Sequence, residues 1–404
     1  MSTDEKISRQ DNQCMQQNQE KDLLESTCTQ SSPLQKDQIT THLSVLGRNP
    51  FTQAHIYTTL TLNDLQLSNI DAVKEFPHIQ HLFCRQNELQ SLSPLQYIPL
   101  LLTIDVTGNQ LTEVLDFTVP KCNSDFAWRD GGGWIGSLLR KATLDKNRIV
   151  SMPHYELART HPYLLELRLA HNSIEVISGL SQLRFLRLLD LSHNKLTTTL
   201  GLIRNEDLSC GLQALSTLLL SGNQLTEIDS TLALLPRLTH LNVAYNQVNT
   251  LSSLENCSQL QQLELAHNNI TDINELNVLA GLRYVGYISL DGNPFVVTQI
   301  AKVFYRARVI RRLLQIEYLD NERVTYKEKV KALVMHGSDL EARRQVAAKY
   351  LPQQEFIDFL PPIIFEDDKL LELPLRCMSY QDQLVPNSMQ SDSIEGEENL
   401  DDRN

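Results

Sequence analysis

The sequence predicts an α/β solenoid of about ten short repeats, with a parallel sheet on its concave face and helical caps at its ends. The first observation is a frame, LxxLxLxxNxL, that recurs along most of the 404 residues. The second is the spacing of its asparagines, which are 22, 38, 25, 22, 29, 23, 22 and 25 residues apart. The third is that segments with helical apolar spacing precede and follow the array. The framing asparagines are Asn87, Asn109, Asn147, Asn172, Asn194, Asn223, Asn246, Asn268 and Asn293.

Each part of the frame has a physical reason. In xLxLx the two leucines point into the core, and the residues beside and between them face the concave surface, because side chains alternate along a strand. The asparagine amide satisfies backbone groups that the following turn leaves unpaired. One repeat cannot bury its own apolar edge, so neighbouring repeats stack into a continuous core. A repeat of about 22 residues leaves room only for short helical or 3₁₀ turns on the return leg.

Composition and periodicity divide the chain into five parts. They are a disordered Gln-rich N-terminus (1–32), an N-terminal helical cap (33–54), the repeats (55–297), a C-terminal cap with a basic helix (298–352) and an acidic, mostly disordered tail (353–404). Two insertions, near 115–138 and 199–212, interrupt the repeats. Such insertions form loops on one edge of a solenoid, where binding residues often lie.

The N-terminal cap is predicted as a helix because Ile39, Leu43 and Leu46 have helical spacing, with Gly47 and Pro50 ending the segment. At the other end the charge changes sign. Residues 298–350 carry 12 Lys+Arg against 6 Asp+Glu, a net +6, whereas residues 353–404 carry 3 against 13, a net -10. The simplest interpretation is a solvated helix and a solubilising tail. The alternative is a tail that shields the basic helix or docks on a partner, with FIDFLPPIIF as a packed strap or binding motif.

Composition excludes several classes of function. A net charge of -13 argues against nucleic acid or an anionic membrane as the main partner. The seven cysteines are scattered without a CxxC pair, which predicts neither a disulfide framework nor a zinc site and favours a reducing, cytoplasmic compartment. The chain shows neither the apolar stretch of a signal peptide at its start nor a run of about 18 apolar residues, so we expect no membrane span.

No pattern of catalytic or cofactor-binding residues stands out. Gly131, Gly133 and Gly136 formally satisfy GxGxxG, but the loop leads into another repeat and not into a crossover helix, so we expect no nucleotide cofactor. Trp128 and Trp134 in the same loop are either mobile surface residues or interface anchors.

Three histidines, His171, His193 and His267, each precede a framing asparagine and therefore lie in one row. Gly222 and Tyr245 interrupt the row, and polar residues are ordinary at this solvent-facing position, so we expect no metal site. Without a positioned base, nucleophile or metal set, the sequence predicts a protein that is not an enzyme.

The concave surface is the remaining candidate for a functional site. Apolar side chains at concave positions are not required by the fold, and with nearby arginines they have the composition of a protein-binding patch. The candidate residues are Phe83, Arg85, Arg168, Leu188, Leu219 and Tyr287.

The segment after Asn293 resembles the capping motif of intracellular leucine-rich repeat proteins, roughly YRxxVIxxLPxLxxLD. The matching residues are Tyr305, Arg306, Val309, Ile310, Leu313, Ile316, Leu319 and Asp320, while Leu314 and Gln315 stand where the motif has Leu-Pro. Repeats and cap together place residues 55–325 in the short, intracellular leucine-rich repeat class.

Within this class, the segment that opens the array is similar to that of an axonemal radial-spoke protein, with Ala54, His55, Ile56 and Tyr57 in place of its first strand. The cap followed by EKVKAL also resembles ciliary members of the class. The resemblance implies a structural subunit of the axoneme of a cilium or flagellum, or of the associated cytoskeleton, that binds other proteins. The class also includes the regulatory subunit of protein phosphatase 1, which implies the alternative of a soluble subunit that binds a catalytic partner.

Overall fold

The computed structural model describes residues 32–48, 53–119, 137–153, 155–202, 211–297 and 302–335. The predictions for the Gln-rich N-terminus, for most of both insertions and for residues 336–404 lie outside this part of the chain. The three glycines of the GxGxxG pattern, Trp128 and Trp134 also lie outside it.

The described residues form a 13-stranded sheet, with short turns on its convex side, and a separate 2-stranded sheet of Ser32–Pro33 and Leu67–Asn69. The strands are β1 (Ser32–Pro33), β2 (Leu43–Arg48), β3 (His55–Thr61), β4 (Leu67–Asn69), β5 (His81–Phe83), β6 (Thr103–Asp105), β7 (Lys141–Thr143), β8 (Glu166–Arg168), β9 (Leu188–Asp190), β10 (Thr217–Leu219), β11 (His240–Asn242), β12 (Gln262–Glu264), β13 (Tyr287–Ser289), β14 (Tyr318–Leu319) and β15 (Glu322–Arg323). Strands β3 and β5 to β14 pair in parallel and in chain order. Because β14 belongs to the cap, this sheet contains the ten predicted repeats.

The return legs contain 3₁₀ turns, as the short repeat length predicts. These turns are Asp71–Glu75, Ser93–Tyr97, Leu157–Arg159, Ser230–Leu234, Ser252–Leu254 and Ile273–Gly281. Leucines of the strands and of these turns meet in one continuous core, in which Leu189, Leu191 and Leu232 are fully buried. The alternation predicted for xLxLx is therefore confirmed.

Buried asparagines join each repeat to the one before it. The Asn246 Oδ1 accepts from the Leu225 N–H at 3.0 Å, and its Nδ2 donates to the carbonyls of Leu220 and Val243 at 3.0 Å each. All nine framing asparagines accept the corresponding backbone N–H of the preceding repeat. The predicted role of the asparagine amide is therefore confirmed.

The N-terminal cap differs from the prediction of a helix over 33–54. Helix α1 spans Lys36–His42 and buries Ile39, but Leu43–Arg48 forms β2, antiparallel to β3. Leu43 thus begins a strand, and Leu46 is 62% exposed and does not face a helical core. The physical reason is that β3 would otherwise present an unpaired edge at the start of the sheet, and pairing with β2 satisfies its backbone groups.

In the described ranges, three helices and the hairpin β14–β15 follow the last repeat. The helices are α2 (Pro294–Val297), α3 (Lys302–Arg312) and α4 (Tyr326–Met335). Asp320 follows Leu319, which pairs with Ile288, and its side chain joins the cap to the last repeat: its Oδ1 accepts from the Leu290 N–H at 2.7 Å and its Oδ2 accepts from the Tyr305 hydroxyl at 2.7 Å. Gln315 replaces the proline of the motif and donates to the carbonyls of Leu279 and Leu282 at 3.1 and 3.2 Å.

Candidate functional site

The concave face is defined by three rows of side chains that run across the parallel strands. On β9 the rows contain Leu188, Asp190 and Ser192, and the neighbouring strands place their equivalent residues in register. The middle row from β5 to β13 is Phe83, Asp105, Thr143, Arg168, Asp190, Leu219, Asn242, Glu264 and Ser289.

The structure brings three of the six predicted site residues together. Arg168, Leu188 and Leu219 lie on the consecutive strands β8, β9 and β10, and all three are partly exposed. Phe83 is three strands away toward the N-terminus, and Tyr287 is three strands away in the other direction, each at about 14 Å for a strand spacing of about 4.8 Å. Arg85 lies two residues after Phe83, on the same side of the patch. The six candidates therefore occupy one central patch and two flanking positions.

The arginines of the concave face are ion-paired across neighbouring strands. Arg85 Nη2 lies 2.7 Å from Asp105 Oδ2, and Arg168 Nη1 lies 3.8 Å from Asp190 Oδ2. The Arg85 guanidinium also lies 6.0 Å from the centre of the Phe83 ring. Because these pairs are partly solvated, each contributes at most about 1 kcal/mol to stability. The arginines of the concave face are therefore already positioned and partly neutralised.

The concave face carries an excess of acidic groups. From β5 to β13 its rows contain six acids against three cations other than histidine, which leaves a net charge of -3; the six are Asp105, Asp145, Glu166, Asp190, Glu264 and Asp291, and the three are Arg85, Lys141 and Arg168. Lys141 pairs with Glu166 at 2.7 Å, so every one of these cations has an acidic partner. Asp145, Glu264 and Asp291 remain without a basic partner among them.

Burial acts on two of the remaining acids. Partial burial raises the pKa of the Asp145 carboxyl. A hydrogen bond from the Ala170 N–H to Asp145 Oδ1, at 2.8 Å, opposes this shift. Burial also raises the pKa of Glu264, which accepts from Asn242 Nδ2 at 2.7 Å. Asp145 is a concave residue that is absent from the set predicted from the sequence, although its place directly after Leu144 puts it in the third row.

Tyr287 differs from the other candidates because the cap holds its side chain. Its hydroxyl donates to Asn321 Oδ1 at 2.6 Å, and burial followed by the charges of Glu264 and Asp320 raises its pKa. Tyr287 therefore presents a fixed ring edge at the C-terminal end of the concave face.

The histidine row lies along the edge where the strands end, and its rings stack. His171 and His193 are 4.2 Å apart between ring centroids, and Tyr245 and His267 are 4.4 Å apart. Each residue has a positive φ, and Gly222 leaves room for the His193 ring, because a Cβ there would lie 2.5 Å from its Nδ1. Among the described residues no three His, Cys, Asp or Glu side chains are grouped to hold a metal ion.

The comparison with known families agrees with this geometry. A family model described as "Leucine-rich repeat" matches residues 187–347. The chain has the fold of a leucine-rich repeat solenoid. A solved leucine-rich repeat protein of Leptospira interrogans has the same fold, with 24% identity, a TM-score of 0.50, and coverage of 65% of this chain and 60% of that one. No helix in the described ranges is long and apolar enough to cross a membrane.

Three curated relatives are similar over different parts of the chain. Leucine-rich repeat-containing protein 23 of Bos taurus is 28% identical over 303 residues, which cover 75% of this chain and 79% of the relative. Cilia- and flagella-associated protein 410 of Mus musculus is 36% identical over 121 residues, covering 30% of this chain and 47% of the relative. A protein phosphatase 1 regulatory inhibitor subunit homologue of Arabidopsis thaliana is 26% identical over 203 residues, covering 50% and 54%.

Proposed function

We propose that this leucine-rich repeat solenoid is a non-enzymatic scaffold that binds another protein on its concave face. The observation that carries the proposal is the central patch of Arg168, Leu188 and Leu219, where two leucines remain partly exposed on consecutive strands. Apolar area flanked by charged groups is typical of the centre of a protein interface.

The charge of the face indicates the chemistry of the partner. All three cations of the rows already have acidic neighbours, whereas Asp145, Glu264 and Asp291 add negative charge on both sides of the leucines. A partner segment with apolar side chains in its middle and Lys or Arg at its ends complements this arrangement.

We propose further that the protein works in the axoneme of a cilium or flagellum or in the associated cytoskeleton. The similarity to a cilia- and flagella-associated protein supports this location. The test is to extract cells that express the tagged full chain with detergent and to follow the protein at moderate salt. Retention in the cytoskeletal pellet is expected for the wild type, whereas a fully soluble protein would contradict this location.

The alternative is a soluble regulatory subunit that binds a catalytic partner such as protein phosphatase 1. The similarity over half the chain to a phosphatase regulatory subunit homologue favours it. This alternative predicts a stoichiometric soluble complex with the catalytic subunit, weakened by Phe83→Ala or Tyr287→Ala. Absence of such a complex from the detergent-soluble fraction would exclude it.

A further inference from the structure

A second surface lies along the edge where the strands begin, away from the concave face. The third residue before each of the strands β8 to β11 is Tyr163, Phe185, Ala214 and Arg237, respectively. Tyr163 and Phe185 stack with their ring centroids 6.4 Å apart and are 47% and 52% exposed. The small side chain of Ala214 interrupts this row and leaves a notch beside Phe185.

The notch is the middle of a groove with an apolar floor and a basic rim. The groove has a volume of about 470 Å³, its floor includes Leu212 and Ala214, and Phe185 and Leu234 flank it. Leu234 is 49% exposed. The exposed guanidinium-bearing residues Arg184 and Arg237 stand at its two sides. We call this surface the edge groove.

The edge groove is basic in a protein whose net charge is -13. None of the four residues that precede each of the strands β7 to β11 is acidic, whereas Arg140, Arg184, Arg187 and Arg237 are among them, and all four are exposed. An apolar groove with a rim of arginines suits an acidic peptide that contains large apolar side chains, since charge-assisted contacts at the rim fix an apolar anchor in the groove.

We propose that the segment FIDFLPPIIF, residues 356–365 of the same chain, docks in the edge groove. Its composition fits: seven large apolar side chains stand on both sides of a central pair of prolines, Glu355 and Asp358 lie near one end, and Glu366, Asp367 and Asp368 follow the other. These acids complement the arginines on the two sides of the groove.

The length of the connecting chain allows this contact. The described chain ends at Met335 in α4, which packs against α3 in the C-terminal cap next to β14, and the groove spans β9 to β11. Four strand spacings separate β14 from β10, about 19 Å. The 20 residues from 336 to 355 would span about 30 Å even if wholly helical. Tethering through so short a linker raises the effective concentration of the segment to the millimolar range.

The consequence is a strap that returns from the C-terminal cap along the edge of the solenoid. It covers the exposed Phe185 and Leu234 and brings the negative tail toward the arginines beside the groove. The edge groove is then occupied by the chain itself, whereas the concave face stays open for a partner.

A photo-crosslinking experiment on the full chain tests the proposal. Three variants carry p-benzoylphenylalanine in place of one aromatic residue each: Phe185 in the groove, Tyr326 on the cap, and Tyr245 on the opposite edge. After irradiation, peptide mapping identifies the attachment sites, and gel mobility separates products within one chain from those between chains. We expect the probe at 185 to attach to residues 356–365 within one chain, and the other two probes not to do so.

Three results would overturn the proposal. They are attachment from position 185 only to residues 203–210, which adjoin the groove in sequence; attachment only between chains; and attachment of the tail to the probe at 326 but not at 185.

A charge variant adds a second readout. Arg237→Glu is expected to lower the yield from position 185 about threefold, the effect of removing a surface ion pair and adding repulsion. Arg283→Glu, an exposed arginine before β13, is the control, and equal yields from the two variants would also overturn the proposal.

Discussion

The asparagine ladder allows a matched test of what holds the repeats together. Asn268 is buried, its Oδ1 accepts from the Val248 N–H at 3.0 Å, and its Nδ2 donates to the carbonyls of Val243 and Leu265 at 2.9 and 3.0 Å. The next residue, Asn269, is exposed. The substitution Asn268→Ala therefore removes three buried hydrogen bonds, whereas Asn269→Ala makes the same chemical change at the surface.

The expected difference is large. Each hydrogen bond contributes about 1 kcal/mol net, and leaving the Val248 N–H buried without an acceptor adds to the cost, so Asn268→Ala is expected to destabilise the fold by about 3–4 kcal/mol. A surface change such as Asn269→Ala stays within about 0.5 kcal/mol. Urea unfolding followed by far-ultraviolet circular dichroism gives the midpoints, and hydrogen exchange of the Val248 amide reports the local loss. Equal midpoints for the two variants, with Val248 still protected, would refute the role of the ladder.

Two further predictions concern a buried histidine and a glycine with a positive φ. Burial lowers the pKa of His161 to about 4 from 6.5, so the unfolded chain takes up a proton first and stability falls as pH decreases from 6.5 to 4, by about 3 kcal/mol in total. The pH dependence of the urea midpoint should weaken in His161→Leu, and an unchanged dependence would contradict this. Gly222→Ala should cost about 1–2 kcal/mol, because φ is +67° and the new Cβ would meet His193, whereas Gly281→Ala meets nothing within 4 Å. His193→Ala should restore part of the loss, and equal thermal midpoints for the two glycine variants would contradict this.

The sequence predicts the repeats well because the position of a residue in the frame determines whether its side chain is buried or exposed. Leucine alternation and the framing asparagines depend on contacts that every repeat makes in the same way, so nine copies reinforce one interpretation. The N-terminal cap was harder to predict, since Leu43 and Leu46 have a spacing that suits a helix. These residues form a strand because β3 has an edge that needs a pairing partner. The local sequence does not show this edge, since it arises only when the sheet forms.

The sequence predicts which side chains lie on the concave face, but it does not predict which of them contact one another. Alternation places Leu188 and Leu219 on the concave face, and the strand register brings them close to Arg168. The ion pair between Arg85 and Asp105 joins residues in different rows of neighbouring strands, and the periodic pattern does not specify which diagonal neighbours meet. Likewise, the edge groove depends on a small residue, Ala214, at one position of a row of larger side chains.

The most direct test of the central claim uses tagged variants of the chain expressed in its native cell. The proteins that co-purify with each variant are compared. Leu219→Arg places a charge in the central patch of the concave face, and Val176→Arg makes a comparable change at an apolar residue that is 61% exposed outside the concave rows. Both variants are first checked for unchanged circular dichroism. We predict that a stoichiometric partner of the wild type is retained by Val176→Arg and lost from Leu219→Arg. Retention of the same partner by both folded variants would contradict binding on the concave face.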